Sequence, residues 1–218
     1  MKKLLILITA CCIFSLLSMN AQISQGKILI GMSSSVSILG TGSNLLSIGF
    51  SSIKYKSDAS GYEEPEPDKL TQIVLLPRAG YMITDNLALG LDLDIALYKT
   101  EDGESGSTSQ WTIMSVGPFA RLYFPMEKVN LFLEAGGTIG SLNSKYNSDS
   151  YDSESKMSII SYGGGIGMVV PLGEKVTFDV LAGYNSYISK DKDDNEDNER
   201  DITGTIGIKF GFLVFLGS

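Results

Sequence analysis

The stretch Leu87–Leu97, which reads LALGLDLDIAL, decides the fold class because apolar residues alternate along it with small or acidic ones. A period of two is the period of a β-strand, so the leucines and Ile95 point to one face and both aspartates to the other. Stretches of about ten such residues, separated by turns, are typical of a transmembrane β-barrel. The pattern therefore predicts a location for the chain and says little about its activity.

Six more stretches alternate in the same way, and none of their apolar faces carries a charge. They are residues 73–83, 112–124, 129–139, 160–172, 176–188 and 206–216. The charges of all seven stretches fall on the opposite face, where they form the set Arg78, Asp92, Asp94, Arg121, Glu134, Asp179 and Lys209.

The connections between these stretches alternate in length. Residues 84–86, 125–128 and 173–175 are tight turns, whereas residues 57–69, 101–109, 147–157 and 191–201 are long and polar. Bacterial outer-membrane barrels have short periplasmic turns and long outer loops. We therefore expect an all-β, eight-stranded antiparallel transmembrane barrel with both termini on the periplasmic side.

Residues 27–56 complicate the strand count, because Ile28–Ile38 and Leu46–Phe50 both alternate. Taken literally they give nine strands, whereas single-chain bacterial barrels have even numbers. We expect eight strands, with residues 27–56 supplying one broken or bulged first strand and a stretch packed at the periplasmic end or inside. Ten strands are the alternative.

Alternation alone does not say which face meets lipid, because a soluble lipocalin-like barrel has the same period. The polar face here is mostly Gly, Ser, Thr and Ala with about one charge per strand, far fewer than a soluble exterior carries. Residues 209–216 also resemble the C-terminal signal read by the outer-membrane assembly machinery, although two residues follow Leu216 where an aromatic end is usual. Aromatic residues lie near strand ends, as interfacial girdles do: Tyr81, Tyr98, Trp111, Tyr123, Phe124, Tyr184 and Tyr187.

With the apolar face in lipid, three cations and four anions point into the lumen. An eight-stranded barrel is only wide enough for side chains to fill, and buried charges must be paired. The sequence therefore predicts a lumen plugged by ion pairs. The alternative is a gated or narrow pore in which Arg121 and Glu134 form part of the constriction.

Residues 1–21 have the organisation of a secretory signal peptide, which leaves residues 22–218 as the barrel domain. Lys2 and Lys3 precede an apolar run of about 14 residues that is too short to span a membrane comfortably, and Ala21 is the expected cleavage site. A lipoprotein cleaved before Cys11 is the alternative. Cleavage after Ala21 removes both cysteines, so the mature chain would have neither a disulfide nor a thiolate.

The mature composition excludes several function classes. The chain has no histidine, which removes His-dependent catalysis and the common transition-metal sites, so we expect no cofactor. Its net charge after cleavage is −10 without a basic cluster, which argues against nucleic-acid binding. Asp92 and Asp94 share one strand face as a conceivable acid–base pair, but answering nearby arginines is the more common role of such residues.

Three segments carry a resemblance to a known family. Gly80–Gly90, Val116–Phe124 and Leu131–Gly136 are similar to segments of outer-membrane β-barrel proteins often labelled "porin family", and to the OmpX/OmpA-type small barrels of Gram-negative bacteria. The resemblance covers about residues 70–216. It implies an eight-stranded barrel in the outer membrane and no catalytic residue, and it is not evidence of transport.

The remaining candidates for function are the acidic loops. Residues 191–201 hold seven acids in eleven positions, and residues 63–68 are also acidic; both are expected to be solvated, with capture of divalent cations or surface ligands as the alternative. We expect a non-enzymatic barrel with a structural or surface-interaction role, embedded in outer-membrane lipid and inserted by the barrel assembly machinery through its C-terminal strand. A narrow porin-like channel for ions or small solutes is the second hypothesis, and a lipid-modifying enzyme without histidine is the third.

Overall fold

The computed structural model describes residues 23–39, 47–53, 66–126, 130–192 and 199–217. Within these ranges every regular element is a β-strand, and all the pairings are antiparallel. The strands are β1 (Ile28–Leu39), β2 (Ser47–Ile53), β3 (Asp68–Leu75), β4 (Pro77–Met82), β5 (Leu87–Glu101), β6 (Thr108–Phe124), β7 (Asn130–Asn147), β8 (Asp152–Pro171), β9 (Val176–Asp191) and β10 (Asp201–Leu216).

Eight of these strands close into a barrel. The order runs β4, β1, β10, β9, β8, β7, β6 and β5, and β5 pairs back onto β4. Over the lower part, where residues 28–32 of β1 pair with residues 77–81 of β4, closure pairs the backbone groups around the whole circuit, as a sheet in the hydrocarbon region of a membrane requires. The prediction of an eight-stranded antiparallel barrel is confirmed.

The remaining two strands, β2 and β3, extend the circuit at one end. β3 precedes β4 with Leu76 between them, and both pair with β5. β3 and β4 lie one after the other along the same edge of β5. β1 pairs with β4 and β2 pairs with β3, so β1 and β2 are the neighbours of successive parts of this interrupted β3–β4 strand. The expected break in residues 27–56 is confirmed, and it explains why a literal count gives too many strands. The expectation that the second stretch packs at the periplasmic end or inside is wrong, because β2 pairs with β3 beside the upper part of β5.

The two ends of the barrel differ, and we call them lower and upper. The lower end holds the tight turns after Met82 and Pro171, together with the pairing of Ile28 with Leu216 near the two termini. At the upper end the expected long loop 147–157 is wrong, because β7 and β8 continue to Asn147 and Asp152 and leave a four-residue connection. In these upper parts of β7 and β8 the alternation of apolar and polar residues is lost. The residues are mostly polar, and the two strands remain paired above the apolar band. Part of the acidic segment 191–201 lies outside the described residues.

The outer face carries the apolar residues, as the parity of the strands predicts. Leu91 is 57% exposed, Ile139 65% and Ile166 63%. From Ile160 on β8 to Leu172 just after it, the large outward side chains are apolar, and charged residues occupy the outer positions nearer the upper end. A continuous exposed apolar surface of this kind is a membrane-contacting surface. No helix in the described part of the chain is long and apolar enough to cross a membrane.

The lower third of the interior is filled by an apolar cluster, although the sequence suggested a polar lining. One of its members corrects a prediction: Tyr123 was expected in an interfacial girdle, but it is 1% exposed and lies inside, on the same face of β6 as Arg121. Tyr98 and Tyr187 were expected in the girdle as well, but Tyr98 packs inside against Val74, Leu76 and Ala96, and Tyr187 lines the interior. Tyr81, Phe124 and Tyr184 do point outward. The cluster consists of Leu29, Met82, Ala88, Tyr123, Phe132, Val169, Leu213 and Phe215.

The connection between β5 and β6 is residues 102–107, shorter than the long loop 101–109 that was expected, and one carboxylate holds it. Asp102 accepts hydrogen bonds from the backbone N–H groups of Ser105 and Glu104 and from the Ser105 hydroxyl. The bond from the Ser105 backbone is the main reason why the pKa of Asp102 lies below its usual value. This loop is therefore an ordered polar turn at the upper end, outside the apolar band.

Candidate functional site: an ion-pair cluster across the lumen

Above the apolar cluster, six strands each contribute one charged side chain that points into the lumen, and these side chains meet. Some contacts are between direct neighbours in the sheet, since Arg78 is in register with Asp92 and Arg121 with Glu134. Other contacts cross the lumen, as between Arg78 and Glu134, which are 56 positions apart in sequence. We call this set the lumen cluster; it comprises Arg78, Asp92, Arg121, Glu134, Asp179 and Lys209.

Glu134 is the centre of the lumen cluster. Arg78 donates to its two carboxylate oxygens from Nη1 and Nη2, each at 3.1 Å. Arg121 donates from Nε at 2.8 Å and contacts the same carboxylate from Nη2 at 2.6 Å. Lys209 Nζ lies 3.5 Å from it on the third side. Because Glu134 is 8% exposed, this carboxylate has exchanged its water for three cations.

The two arginines extend the cluster to opposite walls of the barrel. Arg78 makes a two-point contact with Asp92, with Nε and Nη2 at 2.8 and 3.0 Å from the carboxylate oxygens. Arg121 Nη1 donates to Asp179, which also accepts a hydrogen bond from the Thr177 hydroxyl at 2.8 Å. The chain of ion pairs therefore runs from β5 through β4, β7 and β6 to β9, across the width of the lumen.

Aromatic rings cover the arginines, a contact that the sequence patterns did not predict. The Arg78 guanidinium lies 4.2 Å from the centre of the Phe119 ring, and that of Arg121 lies 4.0 Å from Phe132. Stacked rings attract the cations and exclude water. The Phe132 ring packs directly onto Gly167, where a Cβ would overlap it. The sequence did contain a signal for both rings: Phe119 and Phe132 are large residues on strand faces that otherwise carry mostly small or polar residues.

Asp94 is the member of the predicted set that the structure does not bring into the lumen cluster. Its carboxylate accepts a hydrogen bond from the Ser115 hydroxyl at 2.6 Å. Among the described residues, no lysine or arginine nitrogen lies within 4.0 Å of it. The cluster thus pairs three cations with three carboxylates, and Asp94 is left as a fourth carboxylate just above.

The space around the lumen cluster changes abruptly along the barrel axis. The pocket lined by Arg78, Arg121 and Asp179 has a volume of about 10 Å³, room for about one water molecule. Above it a cavity of about 740 Å³ extends from Lys209 to Asp201 at the upper end of β10. The lower interior is therefore packed, and the upper interior holds a large cavity.

Asp92 and Asp94 are not arranged as an acid–base pair. Asp92 and Asp94 occupy successive inward rows, and each has its own partners: Asp92 contacts Arg78 and Lys209, and Asp94 contacts Ser115. Across the described ranges, no group of three histidine, cysteine, aspartate or glutamate residues is placed to hold a metal ion. What the site can do chemically is hold charge in a fixed arrangement.

Comparison with known proteins supplies a family. The sequence matches the family described as "Outer membrane protein beta-barrel domain" over residues 10–212. No curated protein sequence matches this chain.

Solved structures with a similar chain course include three small bacterial barrels. One is the N-terminal β-barrel domain of Pseudomonas aeruginosa OprF, with 13% identity, 87% of this chain and 98% of that one covered, and a TM-score of 0.38. The second is Neisserial surface protein A, NspA, with 18% identity, coverage of 86% and 94%, and a TM-score of 0.38. The third is Ail, the attachment invasion locus protein of Yersinia pestis, with 18% identity, coverage of 87% and 99%, and a TM-score of 0.35.

Proposed function

Because this chain belongs to the outer membrane protein beta-barrel domain family, we propose that it is a non-conducting barrel that acts through its outer surface. The observation that carries the proposal is the lumen cluster. Its ion pairs run from wall to wall, and the pocket among them has a volume of only about 10 Å³. An apolar cluster lies directly beneath it. Ions crossing the barrel would have to break both layers.

The upper end supports a role in surface interactions. β7 and β8 are 18 and 20 residues long, whereas about 9–11 residues span a bilayer. Their upper parts bear exposed ion pairs, in which Glu154 lies 3.5 Å from Lys145 and 3.3 Å from Lys156. This hairpin therefore projects a polar, ordered surface beyond the apolar band, where it is accessible to ligands and partners.

A narrow channel for ions or small solutes is the second candidate, and the 740 Å³ cavity favours it. The cavity ends on the lumen cluster, with the Lys209 side chain 29% exposed at its floor. A channel would require Arg121 and Glu134 to separate and exchange partners, as in a gate.

Conductance of the refolded barrel in a planar lipid bilayer separates the two candidates. Folding is verified first by the heat-dependent gel mobility that closed barrels show. The proposal predicts no reproducible current steps from folded protein, and none after Arg121→Ala, because the apolar cluster beneath the lumen cluster stays intact in that variant. Steady steps from the unmodified barrel that change size with Arg121→Ala or Glu134→Gln would establish the channel instead.

Export and assembly form part of the same proposal. Residues 1–21 act as a removable signal peptide, and β10 presents the C-terminal signal to the barrel assembly machinery in a Gram-negative envelope. The mass of the protein purified from outer membranes tests this, since cleavage after Ala21 gives a chain that begins at Gln22. A mass retaining residues 1–21 would contradict it. Divalent cations or surface ligands at the acidic loops remain the candidate partners of the upper end.

A further inference from the structure

The upper cavity has a polar lower rim and, one row higher on the same wall, an apolar surface. Three hydroxyl groups continue from Asp94 around the barrel: Ser115 Oγ lies 2.6 Å from Asp94 and 3.1 Å from Thr138 Oγ1, which lies 2.9 Å from Ser161 Oγ. All four residues line the cavity. They form a polar arc across β5, β6, β7 and β8, and Asp94 is the ionisable member of this arc.

Apolar residues lie one inward row above Asp94. Ala96 is the next inward residue on β5, and it is in register with Val74 on one side and Ile113 on the other. These three side chains and Leu76 line the same cavity. Since inward rows are two residues apart, this apolar row stands about 7 Å above the Asp94 carboxylate along the strand.

Among the described residues Asp94 has no direct ion-pair partner, although the charges of Lys209 and Arg78 act on it from a greater distance. The three cations of the lumen cluster are engaged by Asp92, Glu134 and Asp179, and no lysine or arginine nitrogen of the described residues lies within 4.0 Å of Asp94. One hydroxyl donor leaves other lone pairs of this carboxylate available. A partly enclosed carboxylate with free acceptor sites favours a cation that brings its own N–H donors.

From this juxtaposition we infer that the upper cavity is a binding site for small organic amines. The protonated amine pairs with Asp94 and faces the hydroxyl arc, and the apolar body of the ligand rests against Ala96, Ile113 and Leu76. The volume of about 740 Å³ is within the range of small-molecule sites. The ligand enters from the upper end and stops at the lumen cluster, so binding does not require transport and holds whether or not the barrel conducts.

The test uses benzylammonium as the probe and benzyl alcohol as its neutral match, with the barrel in lipid nanodiscs. Calorimetric titration at one fixed ionic strength, with empty nanodiscs subtracted, gives both affinities. We expect benzylammonium to bind at least tenfold more tightly than benzyl alcohol. Equal affinity for the two probes, or no binding of benzylammonium, would overturn the inference without any variant being needed.

Two matched variants locate the site. Asp94→Asn keeps an acceptor for Ser115 but removes the charge, and it should lower the affinity for benzylammonium at least tenfold while leaving that for benzyl alcohol unchanged. Asp201→Asn removes an equal charge from the upper rim of the same cavity and should change neither affinity by more than about twofold. An equal loss in both variants would show general attraction to an acidic mouth and would refute a site at Asp94.

Discussion

Replacing Glu134 by glutamine should destabilise the barrel strongly although it changes only one atom of the side chain. Glu134 contacts Arg78, Arg121 and Lys209, and it is 8% exposed. With glutamine the lumen cluster holds three cations against two carboxylates, and the new amide group turns N–H donors toward the arginines. Removing one partner of a buried ion pair costs about 3–5 kcal/mol. Since Arg78 and Arg121 retain Asp92 and Asp179, we expect about 3 kcal/mol.

Glu154→Gln is the matched control. Glu154 also contacts two cations, Lys145 and Lys156, but all three side chains are exposed. Exposed ion pairs contribute little to stability, so this variant should unfold at nearly the same urea concentration as the unmodified barrel. Urea titration of the refolded protein in lipid vesicles, followed by the fluorescence of the single tryptophan, Trp111, measures both variants. Indistinguishable midpoints for the two variants would refute the claim that Glu134 compensates buried arginines.

The remaining predictions address the two faces of the barrel and its packing. Leu91→Arg should lower the free energy of folding into vesicles by about 2–4 kcal/mol because it places a charge in lipid, whereas Leu91→Phe should be tolerated; similar results for both would show that Leu91 does not face lipid. Arg121→Ala should lower the urea midpoint because it leaves the buried Asp179 carboxylate without its counter-ion, and an unchanged midpoint would count against the plug. Gly167→Ala should destabilise the barrel because its Cβ overlaps the Phe132 ring, while Gly173→Ala, in an open turn, should not; urea titration again decides, and equal stability would mean that the ring moves freely.

Strand parity correctly predicted which side chains point to lipid and which point into the lumen, because parity is a local property of each strand. Two-residue alternation places Leu91 outside and Arg121 inside regardless of how the strands pair. The same rule places Tyr123 inside with Arg121, yet its position near a strand end suggested a girdle, and that interpretation was wrong. Parity is the stronger argument for an aromatic residue because the pleat fixes the direction of its side chain.

The contacts across the lumen could not be predicted in the same way. Which carboxylate Arg78 meets depends on the stagger of the strands around the whole barrel, a property that no local pattern encodes. Asp94 illustrates this point, because it shares a strand and a face with Asp92, and only the three-dimensional arrangement gives one of them two cations and the other a hydroxyl. The sequence did predict the imbalance of three cations against four anions, and the structure assigns the surplus to one residue.

The break in the first strand was visible in the sequence, but its cause was not. Residues 28–38 and 46–50 alternate separately, and the structure shows why: β1 stays with β10 over its whole length, while β2 takes the place beside β3. Each segment therefore follows its own partner. A sequence pattern detects the two segments, whereas the assignment to barrel positions requires the pairing.

Thiol labelling tests most directly the central claim that the lumen is aqueous above the lumen cluster and closed below it. Residues 22–218 contain no cysteine, so an introduced cysteine is the single reactive site. Thr138→Cys lies in the upper cavity, and Thr177→Cys lies at the level of Asp179, where the native side chain is 0% exposed. With a small water-soluble methanethiosulfonate and folded barrel in nanodiscs, we predict rapid modification of the first thiol and protection of the second until urea unfolds the protein. Modification of both thiols at similar rates in the folded barrel would contradict the account.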